Sequence, residues 1–267
     1  MLAFAANSLL GREALAAGHI GAARFTTVRV LSGAVMLGVL VAVKTHTRSI
    51  GGDWGSALAL VGYAAAFSFA YLSLSAGTGA LILFAAVEVT MIGYGVWTGE
   101  RISRWQVVGV LLAFGGLVWL MLPGVEAPPL AGTLLMLAAG VSWGVYSLRG
   151  RRTQAPTVAT AGNFIRATPL ALLLFLAMET SEPISAMGVA YAVASGALAS
   201  GLGYAIWYAV VPMLSATSAA TVQLSVPIIA AFGGVLLLDE PITMRLGLAS
   251  IAVLGGILLF MLTKREA

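Results

Sequence analysis

A single carboxylate interrupts a long apolar run. Glu88 is the only charged residue in "LFAAVEVTMIGY", residues 83–94. An ionised carboxylate in apolar surroundings is costly unless it is paired, protonated or in contact with water. Glu88 could therefore bind the ammonium group of a small molecule or carry a proton. The alternative is a protonated acid that hydrogen-bonds between two helices.

Two arginines occupy similar places in two other apolar runs. Arg29 lies in "FTTVRVLSGA" and Arg166 in "GNFIRATPLA". A long Arg side chain can extend from such a position to the surface of a membrane. We interpret both as scaffold arginines that bind helix-end carbonyls or a carboxylate. The functional alternative is that they bind the carboxylate of a small molecule.

Aromatic and small polar residues recur within the apolar runs, a pattern that predicts an amphipathic cavity. The residues that we expect to bind a small molecule are Asn7, Tyr71, Glu88, Tyr94, Trp143, Tyr146, Trp207 and Gln223. Pro and Gly within a helix permit kinks. We therefore expect a gating or scaffold role for Gly93, Pro227 and Gly233. The two scaffold arginines, Arg29 and Arg166, are assigned to the same group. No residues are predicted to be catalytic or to bind a metal.

The composition is that of a protein embedded in a membrane. The chain is 60% hydrophobic and only 9% charged, and its mean hydropathy is +1.00. Although the net charge is +4, most of the basic residues lie in short loops, so we expect no nucleic-acid partner. With no cysteine and only two histidines, the sequence predicts no cofactor and no enzymatic activity.

The apolar runs predict ten transmembrane helices, most of them about 20 residues long and thus able to cross the bilayer. They are expected near 1–17, 22–43, 54–74, 77–98, 104–122, 130–148, 158–178, 186–211, 217–238 and 244–263. Nine Lys and Arg residues lie in loops after even-numbered spans or in the C-terminal tail, against three after odd-numbered spans. This bias predicts that both termini are cytoplasmic.

The first span departs from the pattern because only eleven residues precede Arg12. Three explanations are open. The first helix is short, or it runs on through Arg12 and Glu13, or its true start lies upstream of Met1.

One segment of the sequence is repeated 140 residues later. "GERISRWQVVGVLLAFGGLVWLML", 99–122, aligns without a gap with "DEPITMRLGLASIAVLGGILLFML", 239–262. Ser103 and Thr243 are predicted helix N-caps, and the preceding Glu100 and Glu240 are expected to stabilise the N-termini of the same helices. The paired glycines at 115–116 and 255–256 predict close helix packing.

The repeat divides the chain into a first five-helix unit at 1–122, a linker at 123–129 and a second five-helix unit at 130–267. Because five spans are an odd number, the second unit crosses the membrane in the opposite sense. The predicted fold is therefore an all-α integral membrane protein with ten transmembrane helices arranged as two inverted five-helix repeats, as in many transporters.

Two such halves, each with an Arg early in its second span and a Glu before its last, resemble the EamA-type branch of the drug/metabolite transporter superfamily. The resemblance covers nearly the whole chain. It implies a central cavity lined by spans 1–4 and 6–9, with spans 5 and 10 outside it. The stretch "SLSAGTGALILFAAVEVTMI", 73–92, further resembles bacterial exporters of aromatic and neutral amino acids.

This resemblance implies a monomeric secondary transporter in the bacterial inner membrane, whose partners are a small-molecule substrate and the lipid bilayer. The expected function is export of small amphipathic metabolites, including aromatic amino acids, by alternating access between the two repeats. A carrier of drugs or nucleoside-type metabolites is the alternative within transport. An intramembrane enzyme is the alternative from another class, and it would need a cluster of Asp, His or Glu that the sequence lacks.

Overall fold

The structure of the chain is a computed structural model that describes residues 1–45, 51–99, 102–124, 126–150, 153, 155–178, 184–210, 223 and 225–263. These residues form ten helices and no strand when one composite helix is counted once. Their bounds are α1 Leu2–Ala16, α2 Ala22–Thr45, α3 Trp54–Ala70, α4 Ala76–Trp97, α5 Arg104–Met121, α6 Leu130–Gly150, α7 Pro156–Ala177, α8 at 186–210, α9 Ser225–Leu238 and α10 Met244–Leu262.

Helix α8 is continuous but not uniform. Its α-helical start, Ala186–Val193, leads into a π-helical segment, Ala194–Leu202, and then into a second α-helical part, Gly203–Val210. Long π-helical segments are rare and often occur at functional sites. The sequence pattern predicts only a single regular helix here.

The described part of the chain is all-helical and contains several candidate membrane spans. Among the helices of the described residues, seven are long and apolar enough to cross a membrane, namely α2, α4, α5, α6, α7, α8 and α10. The apolar helices α3 and α9 are shorter, and α1 has 15 residues. Of the three explanations for the first span, the structure supports continuation through Arg12 and Glu13, because both lie inside α1.

Helix boundaries differ from the prediction at two places. The third helix ends at Ala70 rather than at residue 74. Residues 217–222, predicted as the start of the ninth span, lie outside the described residues. Elsewhere the boundaries agree to within a few residues.

The caps predicted for the repeated segment are confirmed. The hydroxyl of Ser103 accepts a hydrogen bond from the Gln106 N–H, and the backbone N–H of Ser103 donates to Oε1 of Gln106, which completes a capping box at α5. Thr243 caps α10 by accepting the Leu246 N–H.

The prediction that Glu240 stabilises the N-terminus of the helix that follows it, α10, is wrong. Glu240 accepts the N–H of Ala76 at the start of α4, at 2.8 Å, and the Nε–H of Arg12 at 2.7 Å. It therefore stabilises the N-terminus of a helix from the other predicted half, because the turn between α9 and α10 packs beside α4. Glu100 lies outside the described residues.

Helices α5 and α10 pack closely through small residues. A Cβ added to Gly109 would lie 2.5 Å from the carbonyl oxygen of Gly256, and one added to Gly116 would lie 3.2 Å from the carbonyl oxygen of Ala249. Side chains larger than hydrogen would therefore separate the two helices. Of each predicted glycine pair only the second member is at the contact, because Gly115 and Gly255 have no neighbour within 4 Å of such a Cβ.

The other helices surround a common centre. Helix α2 packs on α7, α4 packs on α9, and α3 and α4 both pack on α6. Helix α1 lies against α8 and α9. Residues from α1, α2, α3, α6, α7 and α8 consequently meet in the interior.

Candidate functional site

Aromatic rings from five helices fill the interior. We call this group the central cluster; it consists of Phe4, Tyr63, Phe67, Trp143, Tyr146, Phe164, Tyr204 and Trp207. The Trp143 ring is its hub, 4.9 Å between centroids from both Tyr63 and Tyr204 and 5.5 Å from Tyr146. Phe4 packs edge-on against Trp143, Tyr204 and Trp207. Such ring pairs are stabilised by their edge-to-face and tilted geometry in addition to the burial of apolar surface.

A chain of polar side chains crosses one side of the central cluster. The Nδ2 of Asn7 donates to the Tyr63 hydroxyl at 3.1 Å, and the hydroxyl of Ser195 donates to Oδ1 of Asn7 at 2.5 Å. Asn7 and Ser195 are both buried. This chain joins α1, α3 and the π-helical segment of α8 through groups that can re-pair with a polar ligand.

Arg29 brings a full positive charge to the same place. Its side chain is only 2% exposed. Its Nη2 donates to the Tyr63 hydroxyl at 2.9 Å and its Nε to the hydroxyl of Ser200 at 3.4 Å. The guanidinium carbon lies 5.0 Å from the centre of the Tyr63 ring and 4.7 Å from that of Phe67.

No carboxylate in the part of the chain that the structure describes pairs with the Arg29 guanidinium. Among the residues that the structure describes, its Nη1 has no hydrogen-bond partner and it takes part in no salt bridge. Cation–π contacts offset part of the cost of burying the charge. A buried cation with one free N–H face is nevertheless a ready site for an anionic group.

Local sequence explains how these residues converge. Tyr63 and Phe67 are four residues apart in α3 and share one helix face, and Tyr71, the residue directly after α3, continues the same spacing. Gly196 lets α8 approach α2, because an added Cβ there would lie 2.0 Å from the carbonyl oxygen of Arg29. The π-helical segment places Ser195 and Ser200, five residues apart, towards the same centre.

One end of the bundle is closed by a network around Arg12, which we call the Arg12 end. Besides its salt bridge to Glu240, Arg12 donates through Nη1 to the carbonyl oxygen of Tyr71 at 3.3 Å. The hydroxyl of Tyr71 donates to the carbonyl oxygen of Ala76, and its ring packs on Phe67 at 4.6 Å. Tyr71, a predicted binding residue, thus lies between this network and the central cluster.

The opposite end, which we call the Asp53 end, has a more exposed network. Arg149 Nη2 donates to Asp53 Oδ1 at 2.7 Å, with side chains 47% and 51% exposed. Asp53 also caps α3 by accepting the Ser56 N–H. Burial raises the pKa of Asp53, but hydrogen bonds from the side chain and backbone of Ser56 and from Arg149 outweigh that effect and lower the pKa from 3.8 to about 2.

This end connects to the central cluster through Asn163. The Asp53 N–H donates to Oδ1 of Asn163 at 2.9 Å, and Nδ2 of Asn163 donates to the Tyr146 hydroxyl at 3.3 Å. A cavity of about 220 Å³ lies among these residues. Tyr94, which is predicted to bind the small molecule, instead lines a neighbouring space of about 400 Å³ with Asp53 and Arg149.

Glu88 lies apart from the central cluster. It lines an apolar cavity between α4, α5 and α10, and none of the residues lining that cavity belongs to the cluster. Gly93 lines the same cavity. The prediction that Glu88 binds the small molecule together with Asn7 and Trp143 stays untested, but the geometry separates the two places.

The remaining predicted residues are distributed along the bundle. Arg166 donates through Nη1 to the carbonyl oxygens of Gly51, at 2.6 Å, and Gly162, at 3.0 Å. Pro227 is buried near the start of α9, and Gly233 lies against Leu9 of α1. Gln223 is helical and partly buried.

The structure thus brings together four of the eight predicted binding residues: Asn7, Trp143, Tyr146 and Trp207. It adds Ser195, Ser200, Phe164 and Tyr204, which the sequence prediction omitted. The signal for the first two is the run of small residues "ASGALASGLGY", 194–204, whose density of Gly and Ser indicates close helix contact. Nothing in the sequence marks Phe164 among ten phenylalanines.

Comparisons with known proteins agree with this architecture. Residues 130–262 match the model of the EamA-like transporter family. A Pseudomonas aeruginosa protein, PA1977, whose function is uncharacterized, is 53% identical over 92% of this chain and 86% of its own length. The uncharacterized transporter YoaV of Bacillus subtilis is 24% identical over 83% of this chain and 81% of its own length. An uncharacterized transporter of Archaeoglobus fulgidus is 25% identical over 64% of this chain and 63% of its own length.

A solved structure described only as the crystal structure of a protein has the same fold. It superposes with a TM-score of 0.70 over all of this chain and 98% of its own, at 20% sequence identity.

Proposed function

The chain belongs to the EamA-like transporter family, and we propose that it is a secondary transporter that exports amphipathic carboxylates, in particular amino acids with aromatic side chains. The observation that carries the proposal is Arg29, a buried cation without a carboxylate partner in the described residues. It sits within the central cluster, at the junction of helices from both predicted halves.

The charge of the site favours a carboxylate over other small molecules. A guanidinium forms paired, charge-assisted hydrogen bonds with a carboxylate, and these are strong where water is excluded. The Asn7–Ser195 chain offers both donors and acceptors for the remaining polar groups of a substrate. The rings around Trp143 would stack on an aromatic side chain.

Several helix contacts support the proposed inverted repeat. With the offset of 140 residues, Gly109 corresponds to Ala249 and Gly116 to Gly256. Exchanging the halves therefore converts the contact of Gly109 with Gly256 into that of Gly116 with Ala249. This reciprocity is typical of a two-fold axis. The pairs α2–α7 and α4–α9 also join equivalent helices.

Such an architecture suits alternating access, because each half can adopt the conformation of the other. We propose that the substrate site is reached in turn from the Arg12 end and from the Asp53 end. The charge bias of the loops supports a cytoplasmic Asp53 end and a periplasmic Arg12 end in a bacterial inner membrane.

This orientation is testable because the chain contains no cysteine. Thr98 and Glu126 are exposed and are predicted to lie on opposite sides of the membrane. A membrane-impermeant maleimide added to whole cells should label Glu126→Cys and not Thr98→Cys, and lysed cells should label both. Labelling of both variants in whole cells, or of neither, would rule out the proposed topology.

Counterflow in liposomes tests the function itself. Liposomes preloaded with unlabelled phenylalanine should accumulate labelled phenylalanine when they contain the protein. The variant Arg29→Lys keeps the charge but loses the planar fork, so we expect about a tenfold lower rate. Arg24→Lys is the matched control on the same helix and should transport at the native rate.

The outcome also separates the alternatives. Exchange of nucleosides or hydrophobic drugs, without exchange of any carboxylate, would favour the drug or nucleoside carrier and overturn the proposal. Chemical conversion of the added compound in place of its exchange would indicate an intramembrane enzyme.

A further inference from the structure

A cavity on the side of the bundle contains the one charged residue in the middle of α4. The cavity has a volume of about 320 Å³ and lies between α4, α5 and α10. Its lining is apolar except for Glu88, with Val89, Ile92, Val110, Phe114 and Ile257 among the surrounding residues. Helices α5 and α10 form one wall because their glycine contacts hold them together.

Glu88 lines this cavity and has no partner within the described ranges of the chain. Its side chain is 4% exposed, and among the described residues it forms no hydrogen bond and no salt bridge. Every described Lys or Arg side chain that does form a salt bridge pairs with Asp53 or Glu240 instead. An ionised carboxylate in this setting is costly on its own, and a cation that enters the cavity would offset that cost by forming an ion pair with it.

The cavity is separate from the central cluster. The opposite face of α4 packs on α6, where Gly140 lies against Leu83 and Ala86, and Gly144 lies against Thr90. This contact stands between Glu88 and the interior rings. A molecule held by Glu88 would therefore not touch Arg29 or Trp143.

Access to the cavity is from the side of the helix bundle. Val89, Leu111 and Phe114 line it and are 50%, 64% and 58% exposed. These residues lie on membrane-spanning helices, so this side faces the bilayer. A molecule dissolved among the lipid chains can enter without passing through either end of the bundle.

The two halves differ at this place. The residue that corresponds to Glu88 in the second predicted half is Ile228, which is 46% exposed. A requirement of the shared scaffold would apply to both halves. The acid is a feature of one side only, as expected of a ligand site.

We propose that this lateral cavity binds amphiphilic organic cations, protonated amines with an apolar body, through an ion pair with Glu88. The apolar lining buries the body of the ligand, and the carboxylate neutralises its charge. Anions are excluded by repulsion. A neutral hydrocarbon gains the apolar contacts but leaves the carboxylate without a partner. The site is independent of the substrate site proposed above.

Photoaffinity labelling of the full-length protein in lipid nanodiscs tests the proposal. The probe is 2-(4-azidophenyl)ethylamine, and the neutral comparison is 1-azido-4-propylbenzene, which has a similar shape and no charge. We expect the amine to label peptides from α4, α5 and α10. Glu88→Gln should weaken that labelling at least tenfold without changing the labelling by the neutral probe.

Two further variants make the result specific. Glu126→Gln removes an exposed acid from the linker and should leave amine labelling unchanged. Val89→Phe keeps Glu88 but fills the cavity, and it should reduce labelling by both probes. Size-exclusion chromatography confirms that each variant is folded, and phenylalanine counterflow measures the central site separately.

Two outcomes would overturn the proposal. The first is equal labelling by both probes that Glu88→Gln does not change, which would indicate a cavity occupied by lipid chains. The second is amine labelling confined to the central cluster. If phenylalanine counterflow is observed, either result leaves the proposed transport function standing. If counterflow is absent while the amine still labels the lateral cavity, only the transport proposal is overturned.

Discussion

The two ends of the bundle each contain an arginine–carboxylate pair at 2.7 Å, but the pairs differ in their surroundings. Arg12 and Glu240 are 23% and 13% exposed, whereas Arg149 and Asp53 are about half exposed. Glu240 additionally accepts the first N–H of α4, and Arg12 donates to the backbone between α3 and α4. The partners of Asp53 are nearer to water.

Equal distances therefore do not mean equal strength. A charge pair removed from water is weakly screened, and loss of one partner leaves a buried charge. A pair exposed to water contributes little because solvent already stabilises both ions. The Arg12 end should be the firmly closed one, and the Asp53 end should be the one that opens readily in this conformation.

The largest expected effect follows from Glu240→Gln. We expect the free energy of unfolding to fall by about 2 kcal/mol, because Arg12 loses its ionic partner while it remains mostly buried. Thermal unfolding in detergent, followed by tryptophan fluorescence, measures the change. The double variant Arg12→Met, Glu240→Gln should lose less than the sum of the single variants, which is the sign of a direct interaction.

A smaller effect is expected at the other end. Arg149→Gln should lower the free energy of unfolding by less than about 1 kcal/mol, and added salt should reduce the difference further. The same unfolding measurement at two salt concentrations checks this. Equal losses at Arg149 and Glu240 would show that burial does not distinguish the two pairs.

The smallest effect is a dependence on pH. Because folding lowers the pKa of Asp53 from 3.8 to about 2, its ionised form stabilises the folded state at pH values above 3.8. That stabilisation declines as the pH falls from 3.8 towards 2. The difference in unfolding midpoint between the native protein and Asp53→Asn should be constant from pH 5 to 8 and should shrink below pH 4. A difference that changes between pH 5 and 8 would contradict the assignment.

Periodicity and composition predicted most of the helices and their caps. Ser103 and Thr243 were identifiable because a cap depends on residues within one helical turn. Glu240 was assigned to the wrong helix, because its partners Arg12 and Ala76 are 228 and 164 residues away. Contacts between residues so far apart in the sequence depend on the packing of whole helices.

In the candidate site, too, some residues could be identified from the sequence, whereas others depend on how the helices pack. Trp143 and Asn7 stand out in an apolar run by residue type alone. Ser195 and Ser200 do not, because only the π-helical segment aligns residues five apart. Glu88 stands out as the charged residue of an apolar run, but its helix face could not be derived, since α4 is apolar on every side.

The π-helical segment of α8 has a mechanical consequence. A π-helical turn contains about one residue more than an α-helical turn. If one such turn tightened into an α-helix, everything after it would rotate by about 100° around the helix axis. Tyr204 and Trp207 follow the segment directly and carry the rings that meet Phe4. A local change of winding would thus rotate the rings of Tyr204 and Trp207 out of the interior, while the first part of the same helix stayed in place.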